Sequence, residues 1–150
     1  MPSTYSNLLY HIIFSTKQRE PLITLGWRDE LYRYVAGILR GQDGLPLEIG
    51  GMPDHLHLVI RVRPDVSVSD IVRLVKANSS KWANERPDGM GRFAWQRGYG
   101  AFTVSVSQLD AVRQYVRSQE KHHRTRTFQE EFVEFLKHHG IEFDERYLWD

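Results

Sequence analysis

The chain has 150 residues, 41% of them hydrophobic and 26% charged, which is enough for one compact domain over residues 1–150. It contains no cysteine, so disulfides, thiolate metal sites and cysteine nucleophiles are excluded. It has neither an apolar run of the roughly 20 residues that cross a bilayer nor a recognisable secretion signal, and we therefore expect a cytoplasmic protein.

The net charge of +1 hides opposite charges in two parts of the chain. Residues 1–126 hold 18 Lys and Arg against 12 Asp and Glu, a net charge of +6, whereas residues 127–150 hold 2 against 7, a net charge of −5. The basic part favours a polyanionic partner. Solvated helix faces would account for the same charges, so charge alone does not decide between these interpretations.

The first half of the chain predicts a strand, a helix and a pair of strands. Residues 5–16 are apolar and rich in β-forming side chains, which is typical of a strand. Apolar residues at helical spacing then predict a helix from about Trp27 to Gly41. Two further strands are predicted at residues 46–51 and 55–62, joined by a tight connection.

The second half predicts three helices and one extended segment between them. Serine caps, apolar stripes and glycine or proline stops define their ends. The second helix is predicted to begin at Ser67 or Ser69 and to end before Pro87. The extended segment covers residues 93–107, and Ser107 caps the third helix. The last helix runs from Thr127 to about His139. The resulting order, βαββαβα plus a terminal helix, predicts a ferredoxin-like α+β sandwich, an antiparallel sheet with helices on one face and the other face free.

His55 and His57 form the first candidate site. They lie two residues apart on a predicted strand, so both side chains point to the same face of the sheet. Two imidazoles about 7 Å apart along a strand can share one metal ion and leave positions open for substrate. Taken alone, the pair also fits a structural or surface role.

Tyr115 and Gln119 form the second candidate site, one turn apart on the third helix. A free phenol has a pKa of about 10 and is a poor nucleophile at neutral pH. A metal at the paired histidines, with an oxygen from Gln119, would polarise a phosphate ester and bring its phosphorus within reach of Tyr115. Alternatively, both are ordinary residues of an amphipathic helix.

Four segments of the chain resemble the single-tyrosine HUH transposases of small insertion sequences, and the resemblance spans nearly the whole chain. They are GGMPDHLHLVI, LVKANSSKW, WQRGYGAFTVSVS and VRQYVRSQEKHH. The WQ-x-GY pattern and the paired histidines after the tyrosine helix resemble the REP-associated branch of these transposases.

The resemblance implies a complete reaction. His55, His57 and Gln119 would hold a divalent ion, Mg²⁺ or Mn²⁺, and Tyr115 would attack a phosphodiester of single-stranded DNA. The products would be a 5′-phosphotyrosine link and a free 3′-OH, at a site marked by a DNA hairpin. The resemblance also implies a homodimer in which the tyrosine helix of one subunit completes the metal site of the other.

Further basic residues are candidate DNA contacts, with ordinary surface charge as the alternative. They are Lys17, Arg19, Lys76, Lys81, Arg113, Arg117 and Lys121. Trp95 and His11 are expected to lie in the core, although Trp95 would also suit base stacking. Two other functions remain open: a hairpin-binding regulator that does not cut DNA, and a metal-dependent hydrolase of small phosphoesters.

Overall fold

One antiparallel sheet of four strands organises the molecule. The structure is a computed structural model that describes residues 3–87, 91–123 and 125–149. From one edge to the other the strands are β2 (Leu45–Met52), β3 (His55–Val62), β1 (Leu8–Ser15) and β4 (Gly100–Thr103). This strand order is that of the ferredoxin-like sandwich, so the predicted α+β fold class is confirmed.

Within residues 3–87, 91–123 and 125–149, five α-helices pack around this sheet. They are α1 (Arg28–Gly41), α2 (Val68–Glu85), α3 (Leu109–Arg117), α4 (Gln119–His122) and α5 (Phe128–His138). Among the described residues, none of these helices combines the length and the apolar character needed to cross a membrane.

The two faces of the sheet carry different helices. α1 and α2 cover one face, where the buried side chains of Phe14 and Leu58 belong to the main core. We expected the other face to be free, but α3 and α5 lie on it. The apolar stripe of α5 requires burial, and Phe128 and Phe132 pack there against Ile13 of β1. Side chains in the middle of this second face, such as those of Ile13 and His57, are therefore buried.

The helix caps were predicted in part. Ser67, one of the two predicted caps, caps α2. The last helix was predicted from Thr127, and the structure adds that Thr127 caps α5 in a capping box with Glu130. The predicted cap of α3 is wrong: Ser107 lies inside a short 3-10 turn, and its hydroxyl is 3.2 Å from that of Ser105. β4 is also much shorter than the extended segment predicted for residues 93–107.

Gly50 sets the distance between α3 and the sheet. A Cβ atom at this position would lie 2.3 Å from the carbonyl oxygen of Val116 in α3, which is closer than real side chains approach. Gly50 is paired with His57 across β2 and β3. The absence of a side chain therefore lets α3 lie directly beside the histidine pair.

We expect Gly50→Ala to lower the free energy of unfolding by about 1–3 kcal/mol, because α3 must move away from the sheet. Chemical denaturation measures this change. Gly37→Ala in α1 is the matched control, since a Cβ there meets nothing within 4 Å, and it should be neutral or stabilising. Equal stability of the Gly50 variant and the wild type would contradict the close packing.

Candidate active site

His55 and His57 lie on the sheet face that is covered by the later helices. Both belong to β3, both are fully buried, and their rings are 5.2 Å apart between centroids. The alternation of side chains along a strand places them on one face, as the spacing predicted. The structure therefore forms a buried histidine pair that is closed off by α3, α4 and α5.

A hydrogen bond behind each imidazole fixes its orientation. Asp54 Oδ1 is 2.8 Å from Nδ1 of His55, and Nε2 of His11 is 2.8 Å from Nδ1 of His57. These contacts hold the Nε2 atoms of His55 and His57 toward the centre of the site. His11 is buried and hydrogen-bonded, as predicted.

His57 is neutral at physiological pH. Burial lowers its pKa to about 4, although the hydrogen bond and the negative charge of Glu131 act in the opposite direction. A neutral imidazole is the form that binds a metal.

Two oxygen atoms converge on the inward-facing imidazole nitrogens. Gln119 Oε1 is 3.0 Å from Nε2 of His55. Glu131 Oε1 is 3.0 Å from Nε2 of His57 and 3.5 Å from Nε2 of His55. One ligand atom from each of His55, His57 and Glu131 lies within 4.8 Å of the others, and all three residues are buried.

The chemistry of these atoms fits a divalent cation. Because the Asp54 carboxylate accepts a hydrogen bond, Nδ1 of His55 is the donor, and Nε2 is the ring atom that can offer a lone pair to a metal. That lone pair faces an amide oxygen at 3.0 Å, and a carboxylate lies beside both. Such a group of nitrogen and oxygen acceptors without a thiolate suits a hard or borderline cation. His55, His57, Glu131 and Gln119 are the residues that could hold it.

Tyr115 lies next to this cluster. Its ring centroid is 6.0 Å from that of His57, its hydroxyl donates a hydrogen bond to Glu131 Oε2, and Nη2 of Arg126 donates to the phenol oxygen at 2.7 Å. α3 ends at Arg117 and Gln119 begins α4, so the single helix predicted for Tyr115 and Gln119 is broken between them. Both side chains nevertheless reach the same site.

The environment of Tyr115 favours the protonated phenol. Burial raises its pKa far above the usual value, and the charge and hydrogen bond of Glu131 raise it further, whereas Arg126 lowers it. Use of this oxygen as a nucleophile therefore requires an additional positive charge close to it.

Glu131 was missed by the sequence analysis. It is fully buried, and the interactions of its carboxylate with His123 and His57 hold its pKa far below the usual range despite the opposing effect of burial. One signal could have identified it: α5 buries Phe128 and Phe132, and Glu131 occupies the same stripe. A carboxylate at such a position must be paired or must bind a metal.

The paired histidines after Gln119, His122 and His123, pack against the site. The ring of His122 stacks on Tyr115 with centroids 4.4 Å apart. Nε2 of His123 lies 3.1 Å from Gln119 Oε1 and 3.3 Å from Glu131 Oε1. Burial lowers the pKa of His123, but the hydrogen bond and charge of Glu131 raise it overall.

Lys76, one of the predicted DNA contacts, forms hydrogen bonds within the protein. Its ammonium group donates to three carbonyl oxygens, those of Gln96 at 2.9 Å, Arg97 at 3.1 Å and Gly98 at 2.7 Å. Burial lowers its pKa to about 8. These contacts favour a structural role, in which Lys76 holds the segment before β4.

The other predicted DNA contacts lie outside the histidine cluster. Arg113 and Arg117 flank Glu48, with Nε at 3.5 Å and Nη2 at 2.8 Å from its carboxylate. The guanidinium of Arg19 lies over the ring of Trp149 at 5.5 Å. The remaining three are exposed: Lys17, Lys81 and Lys121. Trp95 is buried in the main core, as expected.

Fold and site together define a class of protein, the single-tyrosine HUH proteins: a histidine pair on a central strand of a ferredoxin-like sheet, with a tyrosine on the adjoining helix. The family described as "Transposase IS200 like" matches residues 4–119, and the chain belongs to this family. The chain is 26% identical over 119 residues to the ISDra2 transposase TnpA of Deinococcus radiodurans, covering 75% of this chain and 84% of that protein. It is 29% identical over 122 residues to the transposase for insertion sequence element IS200 of Salmonella typhimurium, covering 75% of this chain and 77% of the relative.

Solved structures support the same fold. A putative transposase from Deinococcus radiodurans superposes with a TM-score of 0.62 at 24% identity, covering 79% of this chain and 95% of that one. The REP-associated tyrosine transposase bound to a REP hairpin superposes with a TM-score of 0.59 at 12% identity, covering 79% of this chain and 70% of that one. The family match ends at residue 119, so Arg126 and Glu131 lie outside it.

Proposed function

We propose that this protein is a DNA strand transferase that cleaves and rejoins single-stranded DNA through Tyr115, with Mg²⁺ or Mn²⁺ held by His55, His57 and Gln119. One observation carries the proposal: the Tyr115 hydroxyl and Nε2 of His57 both contact the carboxylate of Glu131. A nucleophile and a candidate metal site are thus adjacent within one chain. Membership of a transposase family supports DNA as the substrate.

The proposed reaction is a transesterification. Tyr115 Oη attacks the phosphorus of a DNA phosphodiester, an Oη–P bond forms, and the bond between phosphorus and the 3′ oxygen breaks. The phenol loses its proton, and the departing 3′ oxygen gains one. When bound, the divalent cation polarises the phosphate and favours the ionised phenol. Because the phosphotyrosine retains the ester, a 3′-OH can later reverse the step without ATP.

Glu131 and Arg126 position Tyr115 for this step. Glu131 and Arg126 hold its oxygen from two sides, which restricts the direction from which phosphorus can approach. The guanidinium of Arg126 also places a positive charge beside the oxygen that must carry negative charge during the attack.

A hairpin with a single-stranded flank is the proposed DNA partner. One structural relative carries a REP hairpin, and the basic net charge of residues 1–126 suits a polyanion. A flexible single strand can meet a tyrosine fixed on a helix more readily than paired DNA can. A homodimer stays a prediction. The contacts of Tyr115 with Glu131 and His57 described above lie within a single chain.

Incubation with labelled DNA tests the proposal. We expect a hairpin with a single-stranded flank, in the presence of Mn²⁺, to give a covalent protein–DNA band on a denaturing gel. The fully paired duplex of the same sequence should give much less. Binding without cleavage would favour the hairpin-binding regulator, and cleavage without a covalent band would favour the phosphoester hydrolase.

A further inference from the structure

The carboxylate of Glu131 occupies the centre of the site, where it faces more partners than a structural ion pair requires. Oε1 lies 3.0 Å from His57, 3.5 Å from His55 and 3.3 Å from His123, in each case measured to Nε2. Its other oxygen, Oε2, accepts the hydrogen bond of Tyr115. The side chain is fully buried and has no access to water.

The spacing of these atoms corresponds to that of ligands around one ion. Ligand atoms about 2.1 Å from a metal lie about 3.0 Å apart at right angles and about 3.4 Å apart at the tetrahedral angle. The distance from Glu131 to His57 is 3.0 Å, from Glu131 to His55 3.5 Å, and from His55 to Gln119 3.0 Å. Three distances among these four donor atoms from β3, α4 and α5 are therefore those of neighbouring ligands around one ion, and the ligand atoms of His55, His57 and Glu131 all lie within 4.8 Å of one another.

We propose that Glu131 binds the divalent cation through Oε1 as a fourth protein ligand beside His55, His57 and Gln119, while Oε2 holds the hydroxyl of Tyr115. This inference rests on the proposed function, since it concerns the same metal. The Glu131 carboxylate would then bind the cation through one oxygen and hold the Tyr115 hydroxyl through the other. The nucleophile is thereby positioned relative to the cation by a single rigid group. α5, which lies beyond the family-matched residues 4–119, becomes part of the active site.

A fourth, charged ligand has two consequences. It adds a negative charge to a set that otherwise consists of neutral groups, which strengthens binding of a divalent cation. It also links the cation to α5, so that binding should stabilise the packing of this helix on the sheet. The competing interpretation is a purely structural ion pair between Glu131 and a protonated His123.

Titration of the metal-free, full-length protein with Mn²⁺ distinguishes these interpretations. We expect Glu131→Gln to weaken Mn²⁺ binding at least about tenfold, because even residues behind the ligands contribute that much. Glu131→Asp, which keeps the charge on a shorter side chain, should fall between Glu131→Gln and the wild type. Mn²⁺ should raise the melting temperature of the wild type by several degrees more than that of Glu131→Gln.

Glu130→Gln is the matched control. Glu130 is the exposed neighbour on the same helix, the substitution removes the same charge, and glutamine can keep the capping box. Its Mn²⁺ affinity should equal that of the wild type. An equal loss of Mn²⁺ affinity in Glu130→Gln and Glu131→Gln would mean that overall charge, and not ligation by Glu131, controls binding. That result would overturn the proposal.

The outcome separates this inference from the proposed function. If Glu131→Gln keeps the wild-type Mn²⁺ affinity while His57→Ala loses it, Glu131 is not a ligand but the metal site stands. If the wild type binds no Mn²⁺, both fail. Should Glu131→Gln not fold, crystals of the wild type grown with Mn²⁺ decide the question by anomalous scattering. A peak about 2.2 Å from Glu131 Oε1 supports the proposal, and a peak bound only by other residues overturns it.

Discussion

Replacing Tyr115 by phenylalanine is expected to abolish the covalent protein–DNA product, with a loss of at least about 10³-fold in cleavage rate. The ring, and with it the contacts to His57 and His122, is retained, and only the attacking oxygen is lost. Binding of hairpin DNA should therefore change little. The denaturing gel measures the covalent product, and a titration with labelled hairpin DNA measures binding.

The control for this prediction is Tyr99→Phe. Tyr99 is exposed and far from the candidate ligands in sequence, and its ring contacts Lys76. This variant should form the covalent product at the wild-type rate. A covalent product that persists in Tyr115→Phe and disappears in Tyr99→Phe would transfer the role of nucleophile to Tyr99.

Tyr115→Phe should be destabilised but remain folded. The hydroxyl contributes one hydrogen bond to a buried carboxylate and accepts one from Arg126, so we expect a cost of about 1–3 kcal/mol. Circular dichroism and a thermal melt would separate this destabilisation from loss of the fold.

Residues that act through local spacing could be predicted from the sequence. The histidine pair follows from the alternation of side chains along β3, whose bounds the apolar pattern gave correctly. Tyr115 and Gln119 follow from one turn of helix. The helix is interrupted at Ser118, yet the side chains of Tyr115 and Gln119 both still reach Glu131.

The partners of residues that depend on packing between distant segments could not be predicted, even where the residue itself lies on a buried stripe. Glu131 meets His57 because α5 folds back over the second face of the sheet, 74 positions further along the chain. No local pattern specifies which face a terminal helix covers. Lys76 is a similar case: its ammonium group donates to three carbonyl oxygens that only the folded chain brings together, and its charge alone does not indicate this internal role. Its contact with DNA stays a prediction.

Removal of the metal should have an effect of similar size to that of losing the nucleophile. Excess EDTA should abolish the covalent product, and added Mn²⁺ should restore it, because the phenol of Tyr115 has its pKa raised by burial and by Glu131. Without a metal cation in addition to Arg126, we expect the ionised form of Tyr115 to be too rare to attack at a useful rate. A chelator leaves every side chain in place, so this test does not depend on a variant that folds.

His57→Ala should reproduce the effect of EDTA, with at least about 100-fold slower cleavage that added Mn²⁺ does not restore. The control is His138→Ala, which removes an exposed histidine from α5. Since His57 also bonds His11 and Glu131, circular dichroism must first show that the variant is folded. Full cleavage in excess chelator would exclude the metal from the reaction. Cleavage that needs Mn²⁺ but survives His57→Ala would place the metal elsewhere in the chain.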